Sequence, residues 1–422
     1  MTSDLRSGRT TWWRDLEPFG RSIVLAVPIG IGAGLLALLF LFAVDSGTTA
    51  IWPHVEPEAW SGEPYWVLIL AAGGLVVGWM RKLLGVPERI TGAIEAIAEA
   101  DVDHRLVPKT VAISIVSLIG GASLGPTFGL VMLGGGLAAL IAARLNIEGN
   151  ERSGLILSGE SGGLGGALTS PLLAAILAVE IGPQRPPGFD SRAVPAALAA
   201  ALAFAVVIPV WGRVFLDVYR VPPYDFQAVD ALLGAGLGLL GAIIAIVTGL
   251  AIRATRRLGA ALGRWPVLRA TGGGLVLGLI GIALPFTMFA GSTQLAEMID
   301  RGADLDTWLI AATIGGKILA LAVSLAAGFI GGNVFPLVFV GGTSGVLLHT
   351  LVPGIPYSLA VTCLMGAVPG AAVRAPIGLA LFVALSAGLA PANAVPVIVA
   401  VVTSHTIVSI VRRRMESSAA AA

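Results

Sequence analysis

The chain has 422 residues, of which 56% are hydrophobic and only 12% charged, whereas a soluble protein carries about 25% charged residues. That composition excludes a soluble globular domain, and the net charge of +1 offers no basic surface for nucleic acid. A single Cys363 excludes an internal disulfide and a cysteine metal cluster, and His54, His104, His349 and His405 share no ligating spacing, so no metal or other cofactor is expected.

In chain order, Arg6, Arg9, Arg14 and Arg21 surround the start of an apolar run, Ser22–Val44, that is long enough to cross a bilayer and too long for a cleavable leader. Basic residues mark the cytoplasmic side, so residues 1–20 read as a cytoplasmic segment. The loop Asp45–Tyr65 carries Asp45, Glu56, Glu58 and Glu63 and no Lys or Arg, and reads as external. Trp66–Trp79 then returns the chain to Arg81 and Lys82. In the second half, Val229–Ile252 precedes Arg253, Arg256, Arg257, Arg264 and Arg269, so this span runs inward, opposite to the first. The net acidic stretch Glu297–Asp306 reads as external, Thr307–Gly328 as a further span, and Arg412–Arg414 as a cytoplasmic anchor.

The 56 glycines and 25 prolines gather within the apolar segments. Broken backbone at membrane depth survives only where it is buried in protein or lines a cavity. GGASLGPTFGLVMLGGG, from Gly120, resembles GGNVFPLVFVGGTSG, from Gly331, and GGALTSPLLAAILAVE resembles GAAVRAPIGLALFVAL. Counted to Gly121 and Gly331, the glycine pairs lie 99 residues after Ser22 and 101 after Asp230. Two similar halves of opposite orientation, 21–227 and 228–411 with a tail of 412–422, make an inverted-topology repeat whose broken helices meet at the midplane. The expected fold is an all-α polytopic membrane protein.

A helix that begins inside the membrane presents unpaired N–H groups and about half a positive charge, which suits an anion. A cation path would instead call for intramembrane Asp or Glu. The competing reading is that the glycines serve only close helix packing.

These segments, in this order, resemble the CLC family of chloride channels and proton-coupled anion exchangers over nearly all of Gly20–Ile410. LLGVPERITGAIEAI, with Gly85, is similar to the family's GSGIPE segment, and GGNVFPLVFVGG to its GxFxP segment. The opening stretch is similar to G-[KR]-E-G-P, whose glutamate gates the pore. Aligning prolines at Pro126 puts Leu124 at the glutamate position. Aligning the glycine five residues beyond the proline position, which Gly134 satisfies from Gly129 and Val131 fails from Pro126, puts Thr127 there. Neither register supplies a glutamate. The exchangers' proton-relay position falls on Ile181, next to Glu180, the GSGIP serine falls on Leu84, and no tyrosine lies near the C-terminal end.

The resemblance implies a passive, proton-uncoupled path for chloride or a similar anion, with Gly85, Gly125, Pro126, Thr127, Phe128, Gly332, Asn333, Val334 and Phe335 around the ion. Thr127 takes the gate position, and Lys109 and Lys317 draw anions into a vestibule or pair with carboxylates. Asn333 either donates its amide to the anion or caps its helix. The resemblance further implies a homodimer in the bilayer, while the arginine-rich N-terminus and Arg412–Arg414 point to a bacterial inner (plasma) membrane with both termini cytoplasmic.

Three other readings stand beside this one. Glu160 reads either as a substitute proton carrier in an antiporter or as a residue near a membrane face beside Glu148, Glu151 and Arg152. Loss of the serine and tyrosine is compatible with a non-conducting homologue. Gly159-Glu160-Ser161-Gly162 fits the GxSG of intramembrane serine proteases, with His405 as partner, but an inverted repeat has no place in that fold.

Overall fold

Backbone groups without water must find partners within their own segment, so the apolar runs fold as helices. The computed structural model describes residues 16–52, 62–88, 90, 92–168, 170–183, 190–212, 218–260, 265–302, 305–373 and 375–421. His54, Glu56, Glu58, Arg264 and the arginines before Leu16 lie outside them. Among the described residues there is no strand, only an isolated two-residue bridge.

The first eight helices are α1 (Pro18–Ile51), α2 (Trp66–Leu84), α3 (Ala93–Glu99), α4 (Val107–Ile119), α5 (Thr127–Leu145), α6 (Gly149–Leu168), α7 (Pro171–Ile181) and α8 (Asp190–Trp211). The next eight are α9 (Val229–Ala260), α10 (Pro266–Ala283), α11 (Ser292–Arg301), α12 (Thr307–Ala327), α13 (Val334–Leu351), α14 (Tyr357–Ala372), α15 (Pro376–Ser386) and α16 (Ala394–Ala421). The second set repeats the first in order and, for several of the pairs, in length. α1 and α9 have 34 and 32 residues, α2 and α10 have 19 and 18, and α7 and α15 have 11 each. Nine of the described helices are long and apolar enough to cross a membrane.

Glycine sets the packing in each half, as the competing reading expects. Gly30 and Gly34 of α1 lie on Ala199 and Ala203 of α8, and Gly234 and Gly238 of α9 lie on Pro396 and Ala400 of α16. Both pairs run parallel. Gly134 meets Gly159 and Gly163 meets Leu130 between α5 and α6, and Gly341 and Gly345 meet Leu364 and Val361 between α13 and α14. Both of these pairs run antiparallel.

Across the halves, α2 and α10 form the longest seam. Val67 packs on Gly278, Leu70 on Gly274, Gly74 on Ala270 and Gly78 on Val267, so the equivalent helices of the two halves run in opposite directions. The repeat is inverted. A Cβ on Gly274 would land on the Leu70 carbonyl, with the Ala71 Cα at 3.0 Å, whereas one on Gly272 meets nothing within 4 Å. Gly274→Val is therefore expected to destabilise the protein by about 1–3 kcal/mol through overpacking. Gly272→Val should leave the melting temperature in detergent near wild type.

Ion pairs hold one face of the bundle. Arg21 of α1 grips Glu151 of α6 through both carboxylate oxygens, and Arg152 meets Asp101 at 2.6 Å. Buried Arg81, at the end of α2, reaches across the halves to the Gly328 carbonyl at 3.1 Å and to Pro87 at 2.6 Å.

Candidate functional site

Each half breaks its backbone between two helices, α4 to α5 and α12 to α13, and the two breaks meet. The N–H of Gly125 donates to the Gly332 carbonyl and that of Gly332 to the Gly125 carbonyl, both at 2.7 Å. Serines brace the junction from the opposite half. Ser324 Oγ accepts from the Ser123 N–H and Ser117 Oγ from the Ile330 N–H, each at 3.1 Å.

Every one of these pairs obeys a single register: 324 − 117, 330 − 123 and 332 − 125 all equal 207. Gly121 and Gly328 obey it too, and both have left-handed backbone, with φ of 84° and 94°. SLIGGASLGPTFGLVMLGG from Ser117 thus overlies SLAAGFIGGNVFPLVFVGG from Ser324. This corrects the expected pairing of Gly121 with Gly331. It also shows the signal by which Ser117 and Ser324, absent from the sequence-based site, were legible: Ser-Leu-x-x-Gly-x-x-x-Gly occurs at both breaks.

The bridge changes what the glycines can offer. Gly125 and Gly332 are together, but their N–H groups donate to each other. The helical ladders begin with Leu130 to Pro126 and Leu337 to Asn333, so the N–H groups of Thr127, Phe128 and Gly129, and of Val334, precede them. Neither α5 nor α13 has a side-chain cap. Asn333 occupies the N-cap position of α13 but makes no cap bond, so it does not serve as a cap.

Two short helices, α7 and α15, have filled starts. Ser170 caps α7 through Leu173, and Glu180 at the end of α7 accepts the N–H groups of Ile377 and Gly378 in the first turn of α15, at 3.0 and 2.8 Å. At the junction, α5 and α13 keep open, positively polarised ends.

Four cavities lie in series through this junction. One of about 500 Å³, edged by Asp45 and Glu297, shares Leu41, Pro126 and Ser292 with a second of about 440 Å³. The second shares Thr127, Leu164, Leu168 and Phe335 with a neck of about 50 Å³. The neck shares Ala93 with a fourth cavity of about 750 Å³, whose lining carries both charges, Arg81, Arg256 and Arg269 with Glu88, Glu95 and Glu99, beside Gly331–Asn333. Thr127 is 7% exposed and its hydroxyl has no hydrogen-bond partner.

That hydroxyl sits against Gly332. A Cβ added to Gly332 would collide with it, with Thr127 Cβ at 3.1 Å and the Phe128 nitrogen at 3.3 Å. Gly332→Ala is expected to cost about 1–3 kcal/mol and to cut anion flux severalfold, because the bridge must open to admit the methyl group. Flux in proteoliposomes at matched protein content reads this.

Of the expected site, Gly125, Pro126, Thr127, Phe128, Gly332, Asn333, Val334 and Phe335 gather here. Gly85 does not. It is the exposed C-cap of α2, with φ of 61°, and lines none of the four cavities; Ala93, Ile94 and Ile97 of α3 face the neck instead. Lys109 is exposed and donates to the Leu84 carbonyl at 3.2 Å, supporting the end of α2 rather than a vestibule. Lys317 is fully buried, its Nζ held by the carbonyls of Thr287, Met288 and Phe289 at 3.1, 3.1 and 2.9 Å, so it neither faces a vestibule nor pairs with a carboxylate.

Glu160 is also fully buried, in mid-α6 against Gly135 and Val102, and neither carboxylate oxygen has a partner. Close packing on the glycines of α5 encloses it. Ser161 donates to the Ala196 carbonyl at 3.0 Å, while His405 contacts the Gly370 carbonyl, so the protease pair is not assembled.

Residues 73–409 match the model of the family described as voltage gated chloride channel. The chain is 30% identical over 365 residues to proteins named "Putative ion-transport protein YfeO" from Escherichia fergusonii and Shigella flexneri, covering 82% of this chain and 84% of theirs. Its fold is similar to that of a slow cyanobacterial Cl−/H+ antiporter, with a TM-score of 0.77, 18% identity and 94% and 95% of the two chains covered. A CLC-type fluoride/proton antiporter gives 0.73 at 21% identity, with 91% and 95% covered. With an inverted helical repeat, paired breaks at its centre and this family match, the chain is an integral membrane protein of the CLC family of voltage-gated chloride channels and anion transporters.

Proposed function

We propose that the protein is a passive channel for chloride and similar inorganic anions, running from the Asp45–Glu297 cavity through the neck at Thr127 to the mixed-charge cavity at Arg81 and Glu88. One observation carries the reading. Where the two uncapped helix starts meet, Thr127 lines the neck, and no described residue there bears a carboxylate. A buried carboxylate would compete with an anion for the helix N–H groups and could ferry a proton; a threonine hydroxyl can only donate to a passing ion. The repeat register supports Thr127 as the gate position, since 334 − 127 is again 207 and Val334 lies two residues before the proline of GNVFP.

That last cavity is assigned to the cytoplasm by the basic loops, with both termini on that side of a bacterial inner membrane. By family resemblance the protein is a homodimer with a path in each subunit. Chloride uptake into proteoliposomes carrying a pH-sensitive dye tests the function. Chloride movement without proton counter-movement is the expected result, and a fixed proton stoichiometry would overturn it.

A second reading, proton-coupled antiport through Glu160, has the burial and unpaired oxygens of that residue in its favour. It requires that Glu160→Gln abolish proton movement while leaving anion flux.

A further inference from the structure

We infer that the neck selects anions by ease of dehydration, passing large, weakly hydrated monovalent anions such as thiocyanate and nitrate ahead of chloride and turning away fluoride. This inference rests on the passive path proposed above and names its substrate class.

The neck's cavity is about 50 Å³, against about 440 and 750 Å³ on its two sides. At about 10–15 Å³ of such volume per water, it has room for roughly three to five. Those waters would have little to hold them. Among the described residues lining the neck, Thr127 brings the one polar side chain; the rest, including Val131, Leu177, Ile181, Val334 and Phe382, are hydrocarbon. The bridge subtracts further donors, since the N–H groups of Gly125 and Gly332 are bonded to each other.

An ion in the neck therefore exchanges its water shell for one hydroxyl and a few amides at the starts of α5 and α13. Filters that pass strongly hydrated ions line their narrowest point with ligands that replace the shell. The attraction of two helix dipoles depends on charge and is nearly the same for all monovalent anions. The dehydration cost is not the same, because the Born cost rises as the ion becomes smaller. With equal attraction and unequal cost, the order of passage follows the order of hydration.

The experiment measures initial flux of thiocyanate, nitrate, chloride and fluoride into proteoliposomes, less that into protein-free vesicles of the same lipid. Thiocyanate and nitrate are expected to run severalfold faster than chloride, and fluoride at least about tenfold slower. Fluoride at or above chloride overturns the inference and leaves the passive path standing. No protein-dependent flux of any of the four overturns both. Val334→Thr, nearly isosteric and the repeat mate of Thr127, and Ile181→Thr each add a hydroxyl to the wall. Either one is expected to narrow the thiocyanate-to-fluoride ratio about tenfold, and an unchanged ratio in both overturns the assignment of selectivity to the apolar wall.

Discussion

Thr127→Glu is expected to lower chloride flux about tenfold or more at pH 7.5, and to release it as the pH falls below about 5. The side chain stands at the neck shared by two cavities, beside the uncapped start of α5. A carboxylate there is within reach of the same N–H groups that would hold an anion. Hydrogen bonds to a charged group contribute about 1.5–3 kcal/mol, and about 1.4 kcal/mol is a factor of ten in occupancy, so one such bond suffices for the predicted loss. The direction with pH follows from the charge. A free glutamate ionises near pH 4.3, burial raises that value, and bonds to the ionised form lower it. Above the pKa the anionic side chain competes with chloride, and below it the neutral acid does not. Flux that is unchanged by the substitution, or that falls as the pH is lowered, would move the gate away from position 127.

Lys317→Met is expected to lower the melting temperature in detergent by about 5 °C or more, the largest effect on stability among the substitutions considered. Methionine keeps most of the stem and removes the donor. The three carbonyls that Nζ bonds belong to consecutive residues, Thr287, Met288 and Phe289, and Phe289 has a φ of 53° without being glycine. A left-handed backbone at such a residue costs about 1–2 kcal/mol, and Lys317 holds it there. Each buried acceptor left unpaired costs about 1–3 kcal/mol, so two or three of them outweigh any gain from a more apolar side chain. A shift of 1 kcal/mol corresponds to about 2–4 °C in a chain of a few hundred residues. Lys317→Arg is not expected to rescue, because a planar guanidinium cannot bond three converging carbonyls as one nitrogen does. Thermal unfolding followed by tryptophan fluorescence is the measurement.

The membrane class, the inverted repeat and the meeting of the two breaks were legible because each leaves a mark in the order of residues. Apolar runs show helices, basic loops show their sense, and glycine with proline shows where helices stop. The register of the repeat was harder to read. Adjacent glycines suggest pairing Gly121 with Gly331, whereas the fold pairs residues by backbone conformation, and the left-handed turns are at Gly121 and Gly328. Gly85 follows a basic last turn, which is a C-cap pattern, and its likeness to a pore motif outweighed that local signal. The fate of Lys317 depends on carbonyls 28 to 30 residues away, and that of Glu160 on how closely α5 approaches α6. Neither distance is written in local sequence. Glu180 reads as a helix-end residue and is one, but its partner, the start of α15, lies 197 and 198 residues on.

The reciprocal bonds between Gly125 and Gly332 also bear on how solute can move. Many inverted-repeat transporters work by rocking one half against the other. Here such a motion would shear both bonds, pull the Ser117 and Ser324 hydroxyls from the opposite strand of chain, and draw Glu180 off the first turn of α15. The glycine and serine bonds among these lie at the junction of the two breaks, and those of the serines are buried. The halves are therefore expected to act as a stationary frame, and the route to open by something small: a turned threonine, a displaced phenylalanine ring, a few ångströms of side chain.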